Sequence, residues 1–341
     1  MTGSEQLGEF AIIDLFRREF PESAPGLALG IGDDASIIDL GGGQVLAVSC
    51  DMLVEGVHFE LAGTSAADLG YKSLAVNLSD LAAMGAEPLL AWLMLALPEH
   101  TPGRFIEEFK RGLVECARNY RVVLAGGDTC ASPQGLTLGL TVAGRGRAGR
   151  LVTRSGGRSG NVVLLGGPVG AAAAGLALLQ GRVTLAGGEA RAARRALLRP
   201  RPQVELGRLL ADRGRARAMI DVSDGVLQDL GHICRASGCG AVIDAEQVPL
   251  ATAATSCARQ LDCDAVEFAL SGGEDYLLLF CLAAEDVEAT RRLVRRELAC
   301  EIHPIGRLDD GPGVRLRQGG RTRRPAAGGY QHFHSGRKGR D

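Results

Sequence analysis

Tyr71-Lys72-Ser73-Leu74-Ala75-Val76-Asn77-Leu78-Ser79-Asp80-Leu81 lies within a stretch, 65–84, whose apolar residues recur every three or four positions. That spacing predicts a helix with Tyr71, Leu74, Leu78 and Leu81 on one face and Ser73, Asn77 and Asp80 on another. Ser65, followed three residues later by Asp68, supplies a capping-box start. The helix by itself leaves open whether its polar face meets solvent or a ligand. Working outward, 44–49 and 89–97 read as strands, 104–119 as a second helix, and 121–125 and 136–143 as further strands. The first half is therefore mixed α/β.

The second half repeats the alternation, with strands at 161–165, 217–222, 276–282 and 301–306, and helices from about 170 and at 203–213, 226–237 and 284–298. A Gly- and Arg-rich stretch, 144–150, places the boundary near 145–155. We expect an N-terminal domain over 1–148, a C-terminal α/β domain over 149–320 and an aperiodic tail over 321–341, loose after Phe333.

With 341 residues, 46% of them hydrophobic, the chain can bury two cores. Forty acidic against 38 basic side chains leave a net charge of −2, which excludes a global field for nucleic acid or an anionic membrane. Nine cysteines without a Cys-x-x-Cys pair argue for reduced, mostly buried thiols. The start of the chain shows no export signal, and the apolar run 89–97 is about half of the ~20 residues that span a membrane, so a cytoplasmic protein is expected.

The chemistry is in the acids. Asp33 and Asp34 follow Gly30-Ile31-Gly32, Asp51 follows Val48-Ser49-Cys50, and Asp80 lies on the helix. Asp128 follows Gly126-Gly127, and Asp221 and Asp224 stand in Asp221-Val222-Ser223-Asp224-Gly225. Singly, each fits a turn or a helix N-cap. Recurrence of a Gly-rich or strand-end turn followed by an acid points instead to oxygen ligands converging on Mg²⁺ and phosphate. His58 follows Asp51 closely enough to share that site or to be structural.

Ser271-Gly272-Gly273-Glu274-Asp275-Tyr276 puts acids before a strand, as a site mouth or as a solvated turn. The segment 165–170 precedes the Ala-rich helix but lacks the Lys-Ser/Thr of a P-loop, which favours packing over anion binding. The run Arg191, Arg194, Arg195, Arg199 and Arg201 reads as a solvated helix face, and Arg154 at the junction is the better phosphate contact.

Taken in order, eight motifs resemble those of the thiamine-monophosphate kinases, within the superfamily of aminoimidazole ribonucleotide synthetase and selenophosphate synthetase. They are 30–35, 49–51, 56–59, 71–86, 126–129, 153–156, 221–225 and 271–276, and they span almost the whole chain. The resemblance implies a two-domain aminoimidazole ribonucleotide synthetase-like α/β fold whose N-terminal sheet pairs across a homodimer. It also implies γ-phosphoryl transfer from ATP to thiamine monophosphate, giving thiamine diphosphate, with several Mg²⁺ ions and K⁺ as a helper. By motif, Asp34, Ser49, Cys50, Asp51, Asp80, Asp128, Asp221 and Asp224 would hold metal; Gly127, Asp128, Arg154 and Ser223 would meet ATP; His58 and Glu274 would meet the thiamine phosphate. By the same resemblance, Ala327 stands where family members often carry an aromatic substrate contact, and Tyr330 is the ring expected to substitute for it in part.

A phosphomonoester is already a nucleophile near neutral pH, so the expected mechanism is direct in-line transfer with no general base and no phosphoenzyme. Two other readings are an ATP-dependent ligase or cyclase of the same superfamily and a non-catalytic nucleotide-binding protein.

Overall fold

A computed structural model describes residues 7–20, 23–326, 328–330 and 332. Ala327, Phe333 and the end of the expected tail lie outside the described residues.

In chain order the first half forms α1 (Glu9–Glu19), β1 (Leu27–Leu29), β2 (Ser36–Gly41), β3 (Gln44–Val54), α2 (Ala66–Ala83), β4 (Glu87–Pro98), α3 (Gly103–Tyr120), β5 (Val123–Ser132) and β6 (Thr137–Arg147). The strands make a six-stranded sheet in the order β1-β2-β3-β6-β4-β5. Only β4 and β5 pair in parallel.

The helix over 65–84 forms as its spacing predicts: Ser65 Oγ accepts the Asp68 N–H at 3.1 Å, and Leu74, Leu78 and Leu81 pack with Ala47, Leu138 and Leu140. Helix α3 lies so close to α2 that a Cβ on Gly70 would come within 2.0 Å of the Phe109 carbonyl oxygen. The polar face of α2 is not solvated. Lys72, Ser73, Asn77 and Ser79 are all buried, because the second domain covers that side. On the opposite face of the sheet Met52 and Met94, which share one row through Gly139, are 60% and 40% exposed.

Strand β5 departs from expectation. It does not end at a Gly-Gly-Asp turn but continues through Gly126, Gly127 and Asp128. A Cβ on Gly127 would lie 1.8 Å from the Leu93 carbonyl oxygen, so this glycine lets the strand close on β4 instead of turning.

The second half forms β7 (Val162–Leu165), α4 (Ala171–Leu179), α5 (Gly187–Leu198), α6 (Val204–Asp212), β8 (Ala216–Asp221), α7 (Val226–Ser237), β9 (Gly240–Asp244), α8 (Thr252–Gln260), α9 (Ala265–Ser271), β10 (Leu278–Leu282), α10 (Val287–Leu298), β11 (His303–Asp309), β12 (Val314–Gln318) and β13 (Arg321–Arg323). Its seven-stranded sheet runs β13-β12-β9-β11-β7-β10-β8. Strand β13 falls in the stretch read as aperiodic; its three exposed residues show no alternation to find.

Both faces of this sheet are covered, which explains the unbroken apolar runs of β7 and β10. Val163, Leu165, Leu279 and Cys281 pack toward α7, while Val162, Leu164, Phe280 and Leu282 pack toward α6. The latter cluster also takes in Ala82 and Ala83 of α2, and Tyr276 joins the first domain's core. Helix α2 thus stands between the two sheets, with its polar face at the junction.

Candidate active site

Four segments bring acids to that junction. The turn before β2 supplies Asp33 and Asp34, β3 supplies Asp51, α2 supplies Asp80 and the end of β8 supplies Asp221. Carboxylate oxygens of Asp34, Asp80 and Asp221 lie within 4.8 Å of one another. Arg154 is the cation among them: its Nη2 and Nε donate to Asp34 Oδ1 at 2.6 and 3.1 Å. Its backbone N–H also points at both oxygens of Asp33. Ser49 Oγ donates to Asp80 Oδ2, and the Asp51 N–H donates to Asn77 Oδ1 at 3.0 Å, so α2 is bonded directly to β3.

Three buried oxygens here, Asp34 Oδ2, Asp221 Oδ2 and Ser79 Oγ, make none of the described hydrogen bonds, although the Ser79 hydroxyl stands close enough to Asp221 to ease its charge. Burial, then repulsion from Asp34, pushes Asp221 up to about 8. Burial and the charges of Asp51, Asp221 and Asp34 push Asp80 well above the usual carboxylate range. Asp51 is open to solvent at its surface, yet the protein packed around its carboxylate, followed by Asp34, raises it to about 6. Packing like charges around unsatisfied oxygens is costly unless a cation joins them. The donor set, all oxygen and mostly carboxylate, fits Mg²⁺.

A second group sits at the start of α7, where ligand atoms of Asp224, Asp229 and His232 lie within 4.8 Å of one another. Asp229 accepts the N–H groups of Asp224 and Gly225 at 3.3 and 3.0 Å, which fixes the 221–225 turn. Asp224 is raised to about 6, chiefly by burial, and accepts from Gln228. Asp229 and His232 carry no motif of their own; their spacing of three on a helix was the available signal.

A cluster of side-chain rings and the acid Glu274 lie toward the other end of α2. Nδ1 of His58 accepts the Val54 N–H at 3.0 Å, and burial holds the imidazole below its ordinary pKa. The His58 and His332 rings are 5.2 Å apart, and Tyr330 meets His332 edge-on at 5.0 Å. The Tyr330 N–H donates to the Asp224 carbonyl. Glu274 adopts a left-handed φ of 70°, and its N–H donates to the Ser223 carbonyl oxygen at 2.7 Å. Lys72, quoted above but given no role there, pairs with Glu274 at 2.5 Å. Asp275 accepts the Gly170 and Ala172 N–H groups at 2.6 and 3.0 Å, so the amides ahead of α4 are occupied from within the chain.

Some expected ligands stand apart. Asp128 is exposed on the edge strand β5, and the row Asp128–Met94–Gly139–Met52 puts it on the open face of the sheet. Gly127 precedes it there. Cys50 is exposed beside Asp51.

Two sheets joined through a central helix, with acids converging at the junction, define the class of AIR-synthase-related proteins. Residues 32–146 match the family "AIR synthase related protein, N-terminal domain", and residues 158–319 match the corresponding C-terminal domain. Thiamine-monophosphate kinase of Escherichia coli is 42% identical over 80% of this chain and 82% of its own. That of Synechococcus elongatus is 36% identical over 96% and 97%. A solved structure described as AaThiL complexed with AMPPCP and TMP superposes with a TM-score of 0.84 at 30% identity, covering 98% of this chain and 99% of that one. The chain belongs to the thiamine-monophosphate kinase family.

Proposed function

We propose that this chain phosphorylates thiamine monophosphate with ATP, giving thiamine diphosphate and ADP. One observation carries the reading: the three-acid cluster with Arg154 includes Asp80 of α2, and Glu274, beside His58, is tied to the same helix by Lys72. Asp80 and Lys72 are eight positions apart on α2, or about 12 Å at 1.5 Å per residue, so one elongated acceptor can reach both ends. The relative complexed with AMPPCP and TMP supports the same pair of substrates.

In the reaction an oxygen of the acceptor phosphate bonds to the γ-phosphorus as the bond to the ADP oxygen breaks. The acceptor enters as a dianion, so no side chain has to take a proton from it. Asp34, Asp51, Asp80 and Asp221 would hold Mg²⁺, with Ser49 and Cys50 contributing beside them and Asp224 and Asp128 at further positions. Magnesium supplies charge neutralisation and Lewis acidity at the phosphoryl oxygens when bound. Arg154, kept in place by Asp34, presents its guanidinium to the triphosphate, with Ser223 as a further contact and Gly127 as one from the edge strand β5. His58, whose Nδ1 is already engaged, turns Nε2 toward the acceptor, and Glu274 and Tyr330 receive its rings. K⁺ would serve as a helper ion.

We further read the protein as a cytoplasmic homodimer. The exposed Met52, Met94, Val123 and Leu124 on the open face and edge of the first sheet support pairing with a second copy. No described helix is long and apolar enough to cross a membrane. The deciding experiment incubates the protein with ATP, Mg²⁺ and thiamine monophosphate and separates the products by chromatography. Thiamine diphosphate with equimolar ADP is expected, and ATP binding without that product would overturn the assignment.

A further inference from the structure

Lysine occurs at only three positions in this chain, and Lys72 is 2% exposed. An ammonium group taken out of water costs several kcal/mol unless it is paired, so its partner matters. That partner, Glu274, lies in the other domain, 202 residues away. Two features fix Glu274: its backbone, in the left-handed region, is bonded to Ser223, and its Oε1 is held by Lys72. Oε2 makes none of the described hydrogen bonds, and the carboxylate is close enough to act electrostatically on His58.

Resting on the functional reading above, we propose that Lys72 is a positioning residue for the acceptor. By holding Oε1 it aims Oε2 toward the ring cluster of His58, His332 and Tyr330, where it accepts an N–H from the amino-substituted heteroaromatic end of the ligand. The ammonium also offsets the carboxylate's charge, so the pocket selects by hydrogen-bond direction and not by attraction for any cation.

Steady-state kinetics of the wild type, Lys72→Met, Lys72→Gln, Glu274→Gln and the Lys72→Met/Glu274→Gln double variant test this. Losing a charge-assisted hydrogen bond should raise the KM for thiamine monophosphate about tenfold or more in Lys72→Met. Lys72→Gln, which still donates one bond, should fall between it and the wild type. The KM for ATP should move less than about twofold, and the double variant should be no worse than Glu274→Gln, as for residues acting as a unit. If Lys72→Met does not fold, the ordering of wild type, Lys72→Gln and Glu274→Gln decides. Equal rises in both KM values, a fall in kcat alone, or additive losses would make the pair merely structural and overturn the proposal. A wild type that forms no thiamine diphosphate removes the functional reading and this role together; wild-type turnover with an unmoved KM in the Lys72 variants removes this role only.

Discussion

Gly30–Asp34 and Gly126–Asp128 carry the same signature, glycines leading into an acid, yet they end in opposite surroundings. The Asp34 side chain is fully buried, paired with Arg154 and crowded by Asp80 and Asp221. Asp128 is exposed on an edge strand and bonds only to the Thr129 N–H among its described hydrogen bonds. What separates them is the second domain, which closes over α2 and the first segment and leaves the open face of the sheet uncovered. An acid near glycine thus says that a carboxylate is available, and the tertiary cover decides how strongly it demands a cation.

The contrast is tested most sharply by charge removal. Asp80→Asn should lower kcat by about a hundredfold or more, because it removes a metal ligand from the centre of the proposed phosphoryl-transfer site. Its metal-free thermal midpoint should hold or rise, since like-charge repulsion is relieved. Wild-type turnover at saturating Mg²⁺ would break the contrast at its buried end. Asp128→Asn should lower kcat by about tenfold and leave the metal-free midpoint unmoved. Equal losses in the two variants would place both acids at one centre despite their separation in this chain.

The acid cluster also sets a pH dependence that the exposed acid does not. Asp51 is raised from 3.8 to about 6 and Asp221 to about 8. A carboxyl whose folded pKa exceeds its unfolded value binds its proton more tightly in the folded protein. Its contribution to stability is complete below the unfolded pKa and is lost as pH rises through the folded one. In EDTA the protein should therefore lose several degrees of midpoint between about pH 5 and 8, and Mg²⁺ should restore more at pH 8 than at pH 5. Calorimetry of the wild type and both variants checks this: Asp80→Asn should flatten the profile and Asp128→Asn should not. A metal-free midpoint that climbs across that window would contradict the cluster as described.

Much of this was legible from local pattern. The cap at Ser65, the apolar face of α2 and the strand over 161–165 depend on neighbours in sequence, and they fold as read. The acids of the cluster were legible as chemistry because carboxylates beside glycines and strand ends are expensive to bury unsatisfied. What was not legible depends on partners far along the chain. The Lys72–Glu274 pair spans 202 residues, and no local period announces it. The continuation of β5 through Gly126-Gly127 was hidden because glycine signals a turn in sequence, whereas here it answers the close approach of β4. Helix α1, with no buried residue, offered no core-facing stripe.

The smallest effect is expected at His58, in the turn that follows the end of β3. His58 is only partly enclosed, and its Nδ1 is already bonded to the Val54 backbone, so one face and one nitrogen remain for the acceptor. Removing the ring in His58→Ala should raise the KM for thiamine monophosphate by about fivefold, in keeping with one lost contact of about 1 kcal/mol. The KM for ATP should stay within about twofold, because the proposed reading places the nucleotide at the Arg154 end. Initial rates with each substrate varied in turn measure both. The reverse ranking would move His58 to the nucleotide and would mean that the acid cluster and the His58–Glu274 group do not divide phosphate chemistry from acceptor recognition.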